Sequence, residues 1–345
     1  MTRWSLLVRG AAGLLAGLLL VLSGGWGAFA LAIRFPAPRA ARLVAAALWM
    51  VGCCVVWISW LVWRSSWALS AFFVAHAVLL SWWASIRPRN DRPWADDVAR
   101  LLHGEVQGNR VVLHDVRDFA WRGDDDYDVR WETRSYDLDR LSGADAILSY
   151  WSGKAIAHAM LSFGFDDGRH VVFSVEIRRK RHEAFSEVGG FFRQFELVLI
   201  AAEERDIVRV RTNVRGEDAY VFPLRMTSEA MRSLFVSYVR EANALSHAPR
   251  FYNTVTSNCT TIVYRMAKRI DGALPLDLRL LLTGYLPEYL RDAGALDRRL
   301  SIEEWRARGR ITARALAAGA SEDFSAAIRR GVPPAQSGSS GEATA

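Results

Sequence analysis

The chain has 345 residues and a formal net charge of +7, a length that suggests more than one structural unit. The positive balance comes from arginine far more than lysine, but no arginine run interleaves with aromatics in a groove-binding pattern; the charge suits anionic lipid headgroups rather than nucleic acid. Of three cysteines only Cys259 lies outside the apolar N-terminal part, which excludes an intrachain disulfide there, and zinc spacing is absent, so neither a metal nor another cofactor is expected.

Ten of the fourteen tryptophans precede residue 95, while the charges lie mostly after it, so the two parts face different solvents. Residues 10–33 carry no charge and are long enough to cross about 30 Å of hydrocarbon at about 1.5 Å per residue. Arg3 and Arg9 precede them, and Ala28-Phe29-Ala30 offers a cleavage site, so a removed leader is the competing expectation. Residues 43–63 and 66–86 form two more apolar runs; Arg64 and two serines between them predict a tight helical hairpin. Trp49, Trp60, Trp63, Trp67, Trp82 and Trp83 crowd toward the ends of these runs, where amphipathic rings prefer the membrane interface. Cys53 and Cys54 fall inside the second run as packing or lipid-facing residues, and no lipobox precedes them. Residues 1–92 are therefore expected to be a membrane anchor. With the N-terminus inside, Arg3, Arg9 and Arg64 are cytoplasmic, and Arg34, Arg39, Arg42, Arg87, Arg89 and Arg92 are outside, which runs against the positive-inside rule.

Beyond Arg92 an amphipathic stretch covers Trp94 to Leu102, and Gly108 to Asp115 reads as strand around Val111, Val112 and Leu113. Val116 to Asp137 is polar; its acidic cluster Asp124, Asp125 and Asp126 lacks the EF-hand pattern and is read as a solvated loop. Strands are expected over Lys154–Phe165, His170–Arg178 and Phe195–Ala202, with a fourth over Glu204–Thr212. Thr227 to Leu245 follows a helical period through Met231, Leu234, Phe235, Tyr238 and Val239, and a second helix covers Cys259 to Ile270. Pro333 to Ala345 is rich in Ser, Gly, Pro and Ala. The expected fold class is N-terminal transmembrane helices followed by an α+β domain over 93–325, an antiparallel sheet with packed helices, and a disordered tail over 326–345.

Chemistry concentrates at three residues. Thr256, Ser257 and Asn258 are N-cap types, so Cys259 falls in the first turn of its helix, where free N–H groups and the helix dipole favour a thiolate. A small buried residue under a helix is the plainer alternative. A thiol nucleophile needs a base. His158, between Ala157 and Ala159 on an apolar strand, has space beside it for a substrate or a facing sulfur, although a satisfied core histidine is the commoner role. On the next strand Ser174, Glu176 and Arg178 share one face, so Glu176 is the candidate to orient the imidazole; a Glu176–Arg178 structural ion pair is the alternative. The order His, polar group, Cys is that of a papain-like constellation in circular permutation.

The stretches SYWSGKAIAHAMLSFGF, FSVEIRRKRHEAFS, QFELVLIAAEERDIVRVRTN, VFPL and FYNTVTSNCTT, in this order over roughly residues 110–265, resemble the Lnb N-terminal periplasmic domain family. The resemblance implies a lipoprotein N-acyltransferase-like activity, which moves acyl chains to a lipoprotein's N-terminal amine, with Cys259 as nucleophile and His158 as base. It also implies a bacterial inner-membrane protein whose catalytic domain is periplasmic and whose partners are membrane lipid and lipoprotein substrates. The Asn258-Cys259 helix start is similar to that of lecithin:retinol acyltransferase-like enzymes, which use thiol acyl transfer on a permuted NlpC/P60 fold. The family's named member carries membrane segments after the domain; here they precede it, so the acyl substrate is left open. A Cys–His hydrolase of the envelope (amidase, peptidase or lipid deacylase) and a non-catalytic envelope protein are the alternative readings.

Overall fold

A computed structural model describes residues 3–63 and 65–335. Arg64, the side chains of Arg3 and Arg9, and residues 336–345 lie outside the described residues. The chain divides into two compact units, residues 1–88 with 186–194, and residues 89–185 with 195–345.

The first unit holds α1 (Arg3–Arg34), α2 (Arg39–Trp63) and α3 (Ser66–Ser85). All three are long and apolar enough to cross a membrane, over Gly17–Arg34, Arg39–Trp63 and Ser66–Ser85. Their outer faces expose Leu18, Leu19, Val21, Leu48, Val51, Val74 and Val78, which water would not tolerate as a stripe and hydrocarbon does. The indole N–H of Trp49 donates to the Gly24 carbonyl (3.1 Å), and its ring meets Phe72 and His76, so it packs between the helices. Gly17 is required by close approach: a Cβ there would stand 2.2 Å from the Trp57 ring. The short α4 (Glu187–Phe191) belongs to this unit, with Phe192 against Trp83 and the Arg193 guanidinium donating to the Trp83 carbonyl (2.7 Å).

The second unit is an α+β domain around an eight-stranded, mostly antiparallel sheet. Its strands are β1 (His103–Gln107), β2 (Arg110–Arg117), β5 (Trp131–Asp137), β6 (Leu141–Ser152), β7 (Ile156–Phe165), β8 (His170–Arg178), β9 (Glu196–Ala202) and β10 (Asp218–Pro223); β3 (Ala120–Trp121) and β4 (Tyr127–Asp128) form a separate small ribbon. The order is β1-β2-β9-β8-β7-β6-β10, with β5 on β2, and the one parallel step is Arg117↔Ala202. Alternation on β7 and β8 splits the core. Phe163 and Phe173 face α6 (Ser228–His247) and α7 (Cys259–Ile270), meeting Phe235 and Tyr238; Met160 and Val172 face the opposite layer with Ile207, Ile311 and Phe324.

Several expectations are corrected. Residues 204–212 are not a strand: α5 (Glu204–Arg209) runs into a π-helical turn over Val210–Val214. The apolar residues there, Ile207, Val208 and Val210, bury one side of a helix, and buried Glu204 and Asp206 hold Arg329 and Arg117. The polar stretch 116–137 contains β5 and the β3–β4 ribbon; Asp126 and Asp124 do lie exposed, paired with Arg122 and Arg215. Trp94 to Leu102 holds only the 3-10 turn Asp96–Val98, yet it buries Trp94, Val98 and Leu102. The packed part reaches past residue 326: α8 (Leu286–Asp292), α9 (Ile302–Gly309), α10 (Thr312–Ala318) and α11 (Phe324–Ile328) follow α7, Ile328 is buried, and Arg329 bridges Asp145 and Glu204.

Candidate functional site

The β7–β8 ladder runs from Gly164↔His170 to Met160↔Ser174 and stops there, although both strands continue. The ladder therefore leaves Ala159 unpaired toward β8, and its N–H donates instead to the sulfur of Cys259. The thiol arrives at the N-terminus of α7. Asn258 caps that helix with a reciprocal box: its side chain accepts from the N–H groups of Thr260 (3.1 Å) and Thr261 (2.8 Å), while the Thr261 hydroxyl accepts from the Asn258 N–H (2.9 Å). Thr260 also donates to the Leu280 carbonyl, which pins the first turn to the segment before α8.

His158 meets the thiol from β7. Its ring hydrogen-bonds Cys259, while Nε2 lies 2.7 Å from Ser174 Oγ and 3.0 Å from Glu176 Oε1. Ser174 donates to the same Glu176 oxygen at 2.7 Å. Residues 158, 176 and 259, far apart in sequence, thus form one continuous chain of contacts. The Glu176–Arg178 ion pair is not formed: Arg178 turns away to the carbonyls of Val98 and Ala99, to Asn90 and to the Trp94 ring.

The electrostatics follow from this geometry. Burial and the Arg211 charge oppose a protonated His158, but Glu176 and the hydrogen bonds to Cys259 and Glu176 outweigh them and lift its pKa to about 9. Burial alone would push the Cys259 thiol up; the hydrogen bond and charge of His158, with the Ala159 N–H, hold it below its ordinary value. Glu176 stays well below the usual carboxylate range despite burial, because His158 and Arg211 stand beside it. Both shifts act in the direction that favours a thiolate–imidazolium pair.

Arg211 is the member that sequence reasoning passed over. It sits on the π-helical turn, buried, with 2.9 Å to Glu176 Oε1 and 3.3 Å to Glu217 Oε2; Glu217 in turn accepts from Ser149 (2.5 Å), which pairs with His158 across β6 and β7. Single-turn π segments frequently mark functional positions. Little in the sequence singles it out: Arg211 is one of three arginines, with Arg205 and Arg209, in a stretch that reads as strand.

Beside the thiol opens a cavity of about 780 Å³ between α6, α7 and α8, within the range of ligand pockets. Among the described residues no group of histidine, cysteine and acidic side chains is arranged to hold a metal ion.

Residues 127–284, which include His158, Glu176, Arg211 and Cys259, match the model of the Lnb N-terminal periplasmic domain. No curated protein and no solved structure matches the chain.

Proposed function

We propose that this protein is a membrane-anchored thiol acyltransferase, working on the periplasmic side of the inner membrane and moving an acyl chain from a lipid ester to a lipoprotein amine. The observation that carries the reading is the contact chain Cys259–His158–Glu176, with the thiol at a capped helix start and a carboxylate beside the ring. A papain-like fold in permuted order fits the succession of histidine strand, carboxylate strand and cysteine helix.

In the first half-reaction the Cys259 thiolate attacks the ester carbonyl. The C–O bond breaks as the tetrahedral intermediate collapses, and the leaving alcohol takes the proton from the His158 imidazolium. In the second half the amine attacks the thioester, His158 takes its proton, and the C–S bond breaks to restore the thiolate. Glu176 holds the ring in place and stabilises its charged form. The Cys259 N–H, at the first position of α7, where helix N–H groups have no intrahelical acceptor, is the donor assigned to the oxyanion. The three apolar helices would keep the domain at a bilayer, the description of the matched domain supports the periplasmic side, and the lipoprotein acceptor is what the family resemblance implies.

The test is intact-mass analysis of the full-length protein in phospholipid mixed micelles. An acyl adduct is expected on Cys259, absent from Cys259→Ser and discharged by a peptide bearing a lipoprotein N-terminus. Discharge at the same rate without the amine would make the protein a hydrolase, and no adduct at any pH where the thiol alkylates would end the reading.

A further inference from the structure

The cavity beside Cys259 has a direction. Cys259, Val263, Ala267 and Ile270 recur at helical spacing and line one wall from the first turn of α7 to its last. Twelve residues at about 1.5 Å each make that wall about 18 Å long. Ala230, Leu234 and Tyr238 of α6 line the facing wall. Tyr238 and Cys259 both line the cavity, and Tyr238 stands about two turns along α6 from Ala230. Exposed Glu229, Arg269 and Asp271 collect at the other end. The cavity is thus a trench with a nucleophile at one end, an aliphatic middle and a charged far mouth.

Two further observations bear on its occupant. The Tyr238 hydroxyl is buried and has no hydrogen-bond partner among the described residues, while its ring is fixed by stacking on Phe173 at 4.7 Å. A buried hydroxyl left unpaired asks for a ligand atom. The third wall is the segment before α8 with the first residue of that helix; it turns Leu274, Leu280 and Leu286 to the cavity while Leu276 and Leu278 stand 81% and 75% exposed on its outside. A segment apolar on both faces suits a lipid on one side and a bilayer on the other. A peptide would bring backbone polar groups into the trench, where the hydroxyls of Thr260 and Tyr264 are already taken by the carbonyls of Leu280 and Leu274.

We propose that this trench is an acyl-chain chamber loaded from the bilayer, with the ester carbonyl at Cys259 accepting a hydrogen bond from Tyr238 and the chain running along α7 toward Ile270. The inference rests on reading Cys259 as the acyl-accepting nucleophile. The chamber sets a preference for long chains, and Ala230 and Ala267 are small because the chain passes between them. Tyr238 acts on the tetrahedral oxyanion, so its hydroxyl has no role until substrate is bound.

The experiment uses full-length protein in mixed micelles with two probes of each length: the 4-nitrophenyl esters of butanoate and palmitate, read as adduct on Cys259, and butanamide and palmitamide, read as protection of Cys259 from iodoacetamide. Wild type should acylate faster with palmitate, by about fourfold for each methylene that the chamber holds, and palmitamide alone should protect. Ala267→Phe should remove the protection and lower the palmitate rate about 100-fold while leaving butanoate nearly unchanged. The ratio of two esters in one preparation is independent of how much protein has folded. An unchanged ratio and unchanged protection in Ala267→Phe would overturn the chamber. Protection by palmitamide with no adduct from either ester would leave the chamber standing and remove acyl transfer. Tyr238→Phe should slow both esters about 100-fold with no loss of Tm, because the hydroxyl has no partner to lose; unchanged acylation would overturn its role.

Discussion

Arg211 and His158 share one oxygen of Glu176: Oε1 lies 2.9 Å from the guanidinium and 3.0 Å from the imidazole Nε2. The carboxylate therefore divides one negative charge between a permanent cation and a titrating one. Arg211 opposes protonation of His158, and Glu176 supports it. Arg211→Met removes the permanent cation and leaves Glu176 with His158 alone. The alkaline edge of activity should move to higher pH. Stability should fall by about 3–5 kcal/mol, because Glu217 is stranded as a buried charge. Adding Glu217→Gln should recover part of that loss. Thermal melts and a pH–rate profile of the two variants check both statements; an arginine with only a structural role would lower Tm and leave the pH edge where it was.

The shifts of Cys259 and His158 set an expected pH window. Cys259 lies below its ordinary value, so iodoacetamide should label it fast at neutral pH, and His158→Ala should shift that profile to higher pH by removing the proton donor that burial makes necessary. Acyl transfer needs the imidazolium for the leaving alcohol, so it should fall as pH rises through about 9. His158 has a folded pKa above its unfolded one, so its contribution is complete below about 6.5 and is lost as pH climbs through about 9. Glu176 has a folded pKa below its unfolded one, so its contribution is present above about 4.3 and is lost on acidification. His158→Ala should flatten the alkaline decline of Tm. Cys259→Ser should abolish turnover and leave Tm nearly unchanged. An unchanged alkylation profile in His158→Ala together with a lower Tm would make His158 a core residue only.

Thr283 and Gly284 fasten the segment before α8 to the strand that carries His158. The Thr283 hydroxyl accepts from the Ala157 N–H (2.8 Å) and donates to its carbonyl (2.5 Å), and the Gly284 N–H donates to the Ala155 carbonyl (2.9 Å). A Cβ on Gly284 would stand 2.0 Å from the Lys154 carbonyl oxygen, which is backbone and cannot swing aside. Gly284→Ala should therefore cost about 1–3 kcal/mol and slow Cys259 acylation by lifting the wall that Leu280 provides. Gly143→Ala, at a position with open space around its Cβ site, is the control and should leave both unchanged.

The sequence made the anchor and the site legible for different reasons. Three long apolar runs read directly as helices, because a span announces itself by length and composition alone. The helix starting at Cys259 was legible from its N-cap residues, and the structure supplies the capping box at Asn258. His158 and Glu176 stood out as polar side chains on apolar strands. Arg211 and Tyr238 did not: an arginine in a stretch rich in valine and isoleucine reads as strand edge, and a tyrosine on the apolar face of α6 reads as core. Only the tertiary contacts separate Tyr238, whose hydroxyl lacks a partner, from Phe235 one turn earlier. The strand read over 204–212 failed because period two and period 3.6 are hard to tell apart over so few residues, and the buried acids that decide for helix find their arginines far along the chain.

The division between the two compact units falls after Pro88. Removing residues 1–88 leaves the second unit's sheet, helices and contact chain intact, since every partner of Cys259, His158 and Glu176 named here comes from residues beyond 88. The truncated protein should fold, melt as one transition and alkylate at Cys259 with the wild-type pH profile. It should lose most of its activity on bilayer lipid while keeping activity on water-soluble esters. Residues 186–194 should behave otherwise. In the full chain Phe192 packs on Phe29 and Trp83, and Arg193 donates to the Trp83 carbonyl; all of these partners leave with the anchor. The aromatic segment Phe185 to Phe192 then loses these contacts, and limited proteolysis should cut there first, before any site in the sheet. Protease resistance of this segment in the truncated protein, equal to that in the full chain, would show that it packs on the domain and that the division at residue 88 is drawn wrongly. Failure of the truncated protein to fold would place the anchor within the core.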